Sequence, residues 1–387
     1  MINNITVNSI HINTHKINYK YTITGEWKKY FSCENFYVEY SDIVKYVDYS
    51  IAIIPLLGTI LPLAWICNAS IKIKKIDLDF FNSIPKIKEN YSKMFPQIYF
   101  GGNLEVEAVK SNKFSQNKKM ACFFSGGVDA FHTLISNINS ITDLITIRGA
   151  DIENKDSHGW KGIMNQTLYI SKKFNKKSHF IKSNFRSFIN EDATCAFVRP
   201  LTGDNWWHGF HHGLGVISLA APLSLNWKKI FFASSYTKKY GGELSCASHP
   251  TIDNFIKFNS CKIIHYNFNI SRQKKIEQII KFFKKDTYKP FLRVCWQTDS
   301  GKNCCNCEKC YRTTLALMIE NQNPADYGFP QCDIEYLKNL YNKLKILNQI
   351  SSNIFIKPYY KEMSDIIKKK FRKNNVPNYL SWLYNLD

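Results

Sequence analysis

Arginine is scarce in this chain. Of 52 basic residues in 387, seven are arginine: Arg148, Arg186, Arg199, Arg272, Arg293, Arg312 and Arg372. The rest are lysine, in a sequence also crowded with Asn and Ile. Arginine is the better residue for bidentate phosphate recognition. The formal charge of +21 therefore reads first as compositional bias, and a nucleic-acid partner is compatible with it without being favoured. The start, Met1-Ile2-Asn3-Asn4, lacks a charged-then-apolar leader, so a cytoplasmic protein is expected and a disulfide scaffold is not. Internal repeats and low-complexity tracts are missing too. Neither the Gly-rich dinucleotide fingerprint nor a Walker loop with its Gly-Lys-Ser/Thr occurs. Uninterrupted apolar runs are rare. Residues 51–68 are uncharged and mostly apolar, but Pro55, Gly58 and Pro62 interrupt them and the alternating run 71–76 follows at once. A buried, kinked helix is expected there rather than a membrane span.

What is present is a sizeable core. Hydrophobic residues make up 44% of the chain and aromatics 15%, which excludes global disorder. Residues 1–115 read as an α+β module with short strands at 5–12, 16–23 and 36–40. A polar stretch, 110–119, reads as a linker. From Met120 the rhythm becomes strand–helix–strand, with strands at 120–124, 144–147, 179–181, 230–233 and 263–266. Helices are expected at 128–138, 163–174, 213–225 and 311–320, and Lys-rich amphipathic helices from 334 to the end. This alternation implies an α/β fold: a parallel sheet flanked by helices, with ligands bound at the carboxyl ends of the strands.

The sharpest local feature is Phe123-Phe124-Ser125-Gly126-Gly127-Val128-Asp129-Ala130. A buried strand runs through Ser-Gly-Gly straight into a helix. The glycines allow a tight turn and close backbone approach. The helix start adds unpaired N–H groups and a partial positive charge, which makes an anion cradle suited to phosphate. Asp129 suits a helix cap or a Mg²⁺ ion carried by the phosphates. The second feature is Cys295-x8-Cys304-x2-Cys307-x2-Cys310. Four thiolates at this spacing suit a closed, structural tetrahedral zinc site, with Cys305 the spare. His208 and His212 are one turn apart, but no third ligand is evident, so a helix start packed on Trp206 and Trp207 is expected. If that helix begins near His208, His212 or Arg199 could meet a bound phosphate.

The Ser-Gly-Gly-x-Asp segment resembles the PP-loop of the ATP pyrophosphatase superfamily, with Ala130 where the pattern usually has serine. Its pairing with the cysteine cluster ending Lys309-Cys310-Tyr311-Arg312-Thr313 is similar to 7-cyano-7-deazaguanine synthases over residues 118–325, within the longer, divergent branch of which some members are associated with antiviral defence. The resemblance implies a PP-loop (HUP-type) domain at 116–325 with a zinc knuckle at 295–310, an N-terminal module at 1–115 and a helical extension at 326–387. It implies ATP binding by Ser125, Gly126, Gly127, Val128, Asp129 and Gly149. Catalysis would fall to Asp129, Lys309 and Arg312. Substrate contacts would come from His212, Ser248, His249 and Asp253, although the synthase's own base-recognition sequence is absent here. ATP, Mg²⁺ and Zn²⁺ are the implied cofactors. The implied reaction is ATP cleavage to AMP and pyrophosphate, activating a carboxylate or amide of a deazapurine-like small molecule for an attacking nitrogen. That nitrogen is ammonia or an amine, including a protein amine. A homodimer or a complex with a neighbouring gene product is expected. Two other classes stand beside this one: a tRNA-modifying enzyme of the same superfamily, and a non-catalytic nucleotide-binding component.

Overall fold

Short apolar runs separated by helical stretches become strands of one sheet. The computed structural model describes residues 2–32, 35–112, 119–241, 244–295, 297, 301–330, 332 and 357–386. Among these, β1 (Asn4–Ile12), β2 (Lys16–Thr24), β3 (Phe36–Tyr40), β4 (Ser70–Asp77), β5 (Asn103–Lys110), β6 (Met120–Phe123), β7 (Asp143–Arg148), β8 (Lys177–Ser183), β9 (Lys229–Ala233), β10 (Lys257–Phe258) and β11 (Cys261–Tyr266) lie in the order β10-β11-β9-β6-β7-β8-β3-β2-β1-β4-β5. Strands β11, β9, β6, β7 and β8 are parallel. Residues 1–110 supply β1 to β5, which continue the same sheet through the antiparallel pairing of β3 with β8, in register from Val38↔Ser183 to Tyr40↔Ile181. This pairing covers what would otherwise be an open edge at β8.

Period-two alternation gives the central strands two apolar faces. Ala121, Phe123, Ile145, Ile230 and Phe232 point into one core, and Cys122, Phe124, Leu144 and Phe231 into the other. The second core is closed by the Val128–Ser136, Arg272–Phe282 and Glu308–Ile319 helices. The first holds the Ile54–Ile66 helix, all of whose residues are buried. Each large side chain buried there contributes about 1.5–3 kcal/mol. Gly58 is what lets this helix cross the His212–Ser218 helix closely: a Cβ on it would stand 2.3 Å from Ser218 Cβ. Among the described residues, no helix is long and apolar enough to cross a membrane.

Three elements depart from the sequence reading. The Leu78–Met94 and Arg272–Phe282 helices are not evident from the sequence, because lysine-rich faces and Pro85 blur their apolar stripes. The apolar run 213–225 is not one helix. It divides into the His212–Ser218 helix, which a π turn (Trp207–His211) precedes, and a 3₁₀ turn (Ala221–Asn226). Pro222 opens that last turn, where it has no N–H to extend the hydrogen bonding of the helix before it. The proposed linker falls largely on residues 113–118, and much of the helical tail on 333–356, outside the described residues. In the described part of the tail, the Lys357–Lys370 helix buries Tyr360, Met363 and Ile367 against the second core.

Candidate active site

The chain leaves β6, builds β7 and β8 on one side, then returns to place β9 and β11 on the other. Such a reversal opens a crevice at the carboxyl ends of β6 and β9. The Ser125-Gly126-Gly127 turn lies there, between β6 and the Val128–Ser136 helix. Gly126 has φ +76°, and a Cβ on it would stand 2.5 Å from Gln166 Oε1. The turn is held by Arg293 N–H donating to Gly126 O at 2.9 Å and by Thr146 Oγ1 donating to Phe124 O at 2.9 Å. Gly127 is the helix cap and offers no side chain to the first-turn N–H groups, so they remain available to an anion. Ser125 is exposed, and its Oγ accepts weakly from Gly127 N–H at 3.4 Å.

A cavity of about 670 Å³ opens at this turn, lined by Ser125, Gly127, Val128 and Asp129 among others. Asp129 does not cap its helix. It sits two residues past the cap position, Gly127, and its carboxylate turns to the Arg272–Phe282 helix, where Arg272 Nη1 lies 2.6 Å and Lys275 Nζ 2.9 Å away. Burial opposes the charge of Asp129, but Lys275 and Arg272 hold its carboxyl down at about 2. Arg272 and Lys275 are site residues that the sequence reading missed; no local pattern marks them.

Lys309 and Arg312 line the same cavity, from the Glu308–Ile319 helix, together with Arg293 and Arg199. The Arg312 guanidinium lies 3.8 Å over the Tyr359 ring, so the C-terminal helix supplies part of the wall. Among the described residues, the Nε atoms of Arg272 and Arg293 are buried without a hydrogen-bond partner, and Arg312 Nε has the Glu308 carboxylate at 3.5 Å. Unsatisfied guanidinium donors on residues lining one cavity are what a bound polyanion would satisfy. Asp151 also lines the cavity, its side chain 43% exposed. Burial opposes its charge, but Lys309 and then His212 keep its carboxyl below the usual range. His212 lines the cavity as well, and burial pushes it down to about 4, so it is neutral at pH 7.

The remaining expected contacts divide. Ser248 lines the cavity, with its hydroxyl donating to Asp253 Oδ2 at 3.1 Å. Asp253 itself is fully buried and bound to His265 Nδ1 at 2.8 Å, so it supports Ser248 from behind and does not reach the cavity. His249 turns away to cap the Pro250–Asp253 turn, with Nδ1 2.7 Å from Thr251 Oγ1. Gly149, at φ +100°, is set by packing: a Cβ on it would stand 1.9 Å from Ser183 O. Its neighbours Ile147, Ala150 and Ile152 line the cavity, and Gly149 does not.

Cys295, Cys304, Cys307 and Cys310 converge, with their sulfurs within 4.8 Å of one another. The Sγ separations are 3.8 Å for Cys304–Cys310, 3.9 Å for Cys307–Cys295 and 3.5 Å for Cys307–Cys310. A tetrahedron with arms of ~2.3 Å has edges of ~3.8 Å, so the group could hold one metal ion. Cys305, in left-handed backbone at φ +52°, is buried outside the group.

These features define an α/β protein with a glycine turn at the switch point of its parallel strands and four cysteines grouped closely enough to hold a metal ion. No protein-family model matches the chain. No curated protein matches it either. Among solved structures, the U34-tRNA thiolase NcsA from Methanococcus maripaludis with its [4Fe-4S] cluster aligns over 67% of this chain and 80% of that one, at 15% identity and a TM-score of 0.27. Similarity that low carries no functional argument.

Proposed function

We propose that the chain is an adenylating enzyme of the PP-loop type, which cleaves ATP to AMP and pyrophosphate to activate a carboxylate or amide oxygen. The observation that carries this reading is the Ser125–Gly127 turn at the open end of the sheet, facing a cavity lined by Lys309, Arg312 and the unsatisfied guanidinium donors of Arg272 and Arg293. The turn's N–H groups bind the two phosphates that leave. Arg312 and Lys309 offset the charge that builds on them as the substrate oxygen attacks the α-phosphorus. Asp129 fixes Arg272 and Lys275 beside the turn. Asp151 is a hard oxygen donor in the same cavity, whereas both oxygens of Asp129 are already paired with Arg272 and Lys275. Asp151 suits Mg²⁺, which favours one or two carboxylates plus substrate phosphates. When bound, Mg²⁺ neutralises phosphate charge.

The substrate class that best suits the cavity is a planar 7-deazaguanine-type carboxylate or amide. Trp207, Tyr236 and Tyr359 offer aromatic surfaces, and Ser248 and neutral His212 offer polar contacts. The nitrogen nucleophile is ammonia or an amine, giving an amide or nitrile, or a conjugate if the amine belongs to a protein. The knuckle suits zinc in a structural role: sulfurs 3.5–3.9 Å apart match one ion, whereas a cubane cluster places each cysteine on a separate iron. The test is substrate-dependent exchange of labelled pyrophosphate into ATP. Exchange that requires 7-carboxy-7-deazaguanine supports the reading. No exchange with that acid, its amide or bulk tRNA overturns it, and exchange with tRNA alone transfers the enzyme to the tRNA-modifying class.

A further inference from the structure

One cysteine outside the knuckle opens onto the same cavity. Cys246 lines it together with His208, Asp204 and Tyr236. Asp204 Oδ2 lies 2.6 Å from His208 Nδ1, which fixes the ring and leaves Nε2 facing inward, 3.2 Å from the Tyr236 hydroxyl. Cys246 and His208 line the cavity together, and Cys246 is the strongest influence favouring the charged His208 ring. Ala247 N–H donates to His208 O at 2.8 Å, which ties the two segments together. Ser248 N–H points at Cys246 Sγ at 3.4 Å. Sulfur, imidazole and carboxylate thus stand in the order of a nucleophile, its proton partner and an orienting group. Burial opposes a charged His208, but Cys246 and Asp204 lift it to about 10.

From this constellation we infer that Cys246 is a covalent relay: it takes the activated acyl group from AMP as a thioester and hands it to the amine. The inference rests on the adenylating reading of the cavity. In the first step Cys246 Sγ attacks the carbonyl carbon of the acyl adenylate. The C–S bond forms, the C–O bond to phosphate breaks, AMP leaves with the electron pair, and the thiol proton passes through His208 to the departing AMP phosphate. In the second, the amine attacks the thioester. The C–N bond forms, the C–S bond breaks, and the amine's proton returns to the sulfur through His208. No oxidant or reductant is needed. Asp204 is a positioning residue, acting through the His208 ring. The relay separates ATP cleavage from amine delivery, so AMP and pyrophosphate can leave before the acceptor arrives.

The experiment is a single-turnover reaction of the full chain with ATP, Mg²⁺ and 7-carboxy-7-deazaguanine, first without amine and then with ammonium. Pyrophosphate is measured alongside intact-protein and peptide mass spectrometry. The expected result is pyrophosphate release with an acyl adduct on the Cys246 peptide, removed by hydroxylamine and chased by ammonium. Cys246→Ser should carry no hydroxylamine-labile adduct and form product more than about 100-fold more slowly, with its folding verified by metal content and thermal unfolding. Asp204→Asn and His208→Gln should slow formation of the Cys246 adduct relative to pyrophosphate release, a split that a purely structural role for Asp204 would not produce. Wild-type pyrophosphate release with no adduct on Cys246, or product formation by Cys246→Ser at the wild-type rate, overturns the relay and leaves adenylation standing. Absence of pyrophosphate from the wild type overturns adenylation and the relay together.

Discussion

Asp129 and Arg272 are 143 residues apart in sequence, and their side chains meet at 2.6 Å beside the glycine turn. Lys275, fully buried one turn further along the same helix, takes the other carboxylate oxygen. Removing Asp129 would leave two buried cations without their partner. Asp129→Ala should therefore destabilise the fold by about 3–5 kcal/mol, in addition to abolishing ATP cleavage. The folded carboxyl sits at about 2, below its unfolded value of ~3.9. Its stabilisation is complete above the unfolded value and is lost as pH falls towards 2. Denaturant titrations of wild type and Asp129→Ala at pH 7 and pH 3 check this. An equal stability difference at both pH values would contradict the pairing.

A second ion network crosses from β3 to the parallel strands. His179 on β8 binds Asp42 Oδ2 at 2.8 Å through Nδ1 and Asp143 Oδ1 at 2.7 Å through Nε2. Burial opposes the charge of His179, but Asp143 and Asp42 raise its pKa, while Asp42 and Asp143 are held low in return. A raised histidine stabilises fully below its unfolded value of ~6.5 and less as pH rises through the folded value. The two lowered carboxylates stabilise above ~3.9. The network is therefore at full strength between roughly pH 4 and pH 6.5. His179→Ala should cost about 3–5 kcal/mol in that window and less above it, as read by thermal unfolding across the pH range.

Loss of the knuckle metal should act on folding before chemistry. Structural zinc contributes on the order of 10 kcal/mol in sites of this kind. Chelation, or Cys307→Ser, should lower the melting temperature sharply and yield aggregated protein. Metal analysis should give one zinc per chain. Iron with acid-labile sulfide would contradict the single-ion geometry of Cys295, Cys304, Cys307 and Cys310.

Gly126 and Gly149 make opposite predictions. Gly126→Ala places a methyl against Gln166 and strains a backbone at φ +76°, so it should impair ATP binding at the turn. Gln166→Ala in the same chain should relieve the contact but not the strain. Gly149→Ala would drive a methyl into Ser183 O at 1.9 Å and should lower stability through the β7–β8 junction. Nucleotide titration and thermal unfolding on both variants separate the two effects.

The residue pattern makes some parts of this protein legible and hides others. The β6 turn, the four cysteines and the strand positions are local signals, readable from glycine spacing, Cys-x2-Cys pairs and apolar alternation. Arg272, Lys275 and Asp151 carry no such mark, because their roles come from contacts between elements far apart in sequence. Asp204, His208 and Cys246 are scattered over 43 positions, so only the fold brings them together. The burial of Asp253 is equally invisible, since it depends on which way one loop turns, and His249, which the sequence reads equally as a substrate contact or a capped loop histidine, takes the capping role.

Everything in the account depends on which bond of ATP is broken. The decisive measurement is the product ratio in a single turnover with 7-carboxy-7-deazaguanine, using Lys309→Ala and Arg312→Ala as comparison chains. The account predicts AMP and pyrophosphate in equal amounts, with each variant slowed by about 100-fold or more. ADP and phosphate, or ATP left intact by wild-type protein, would contradict it.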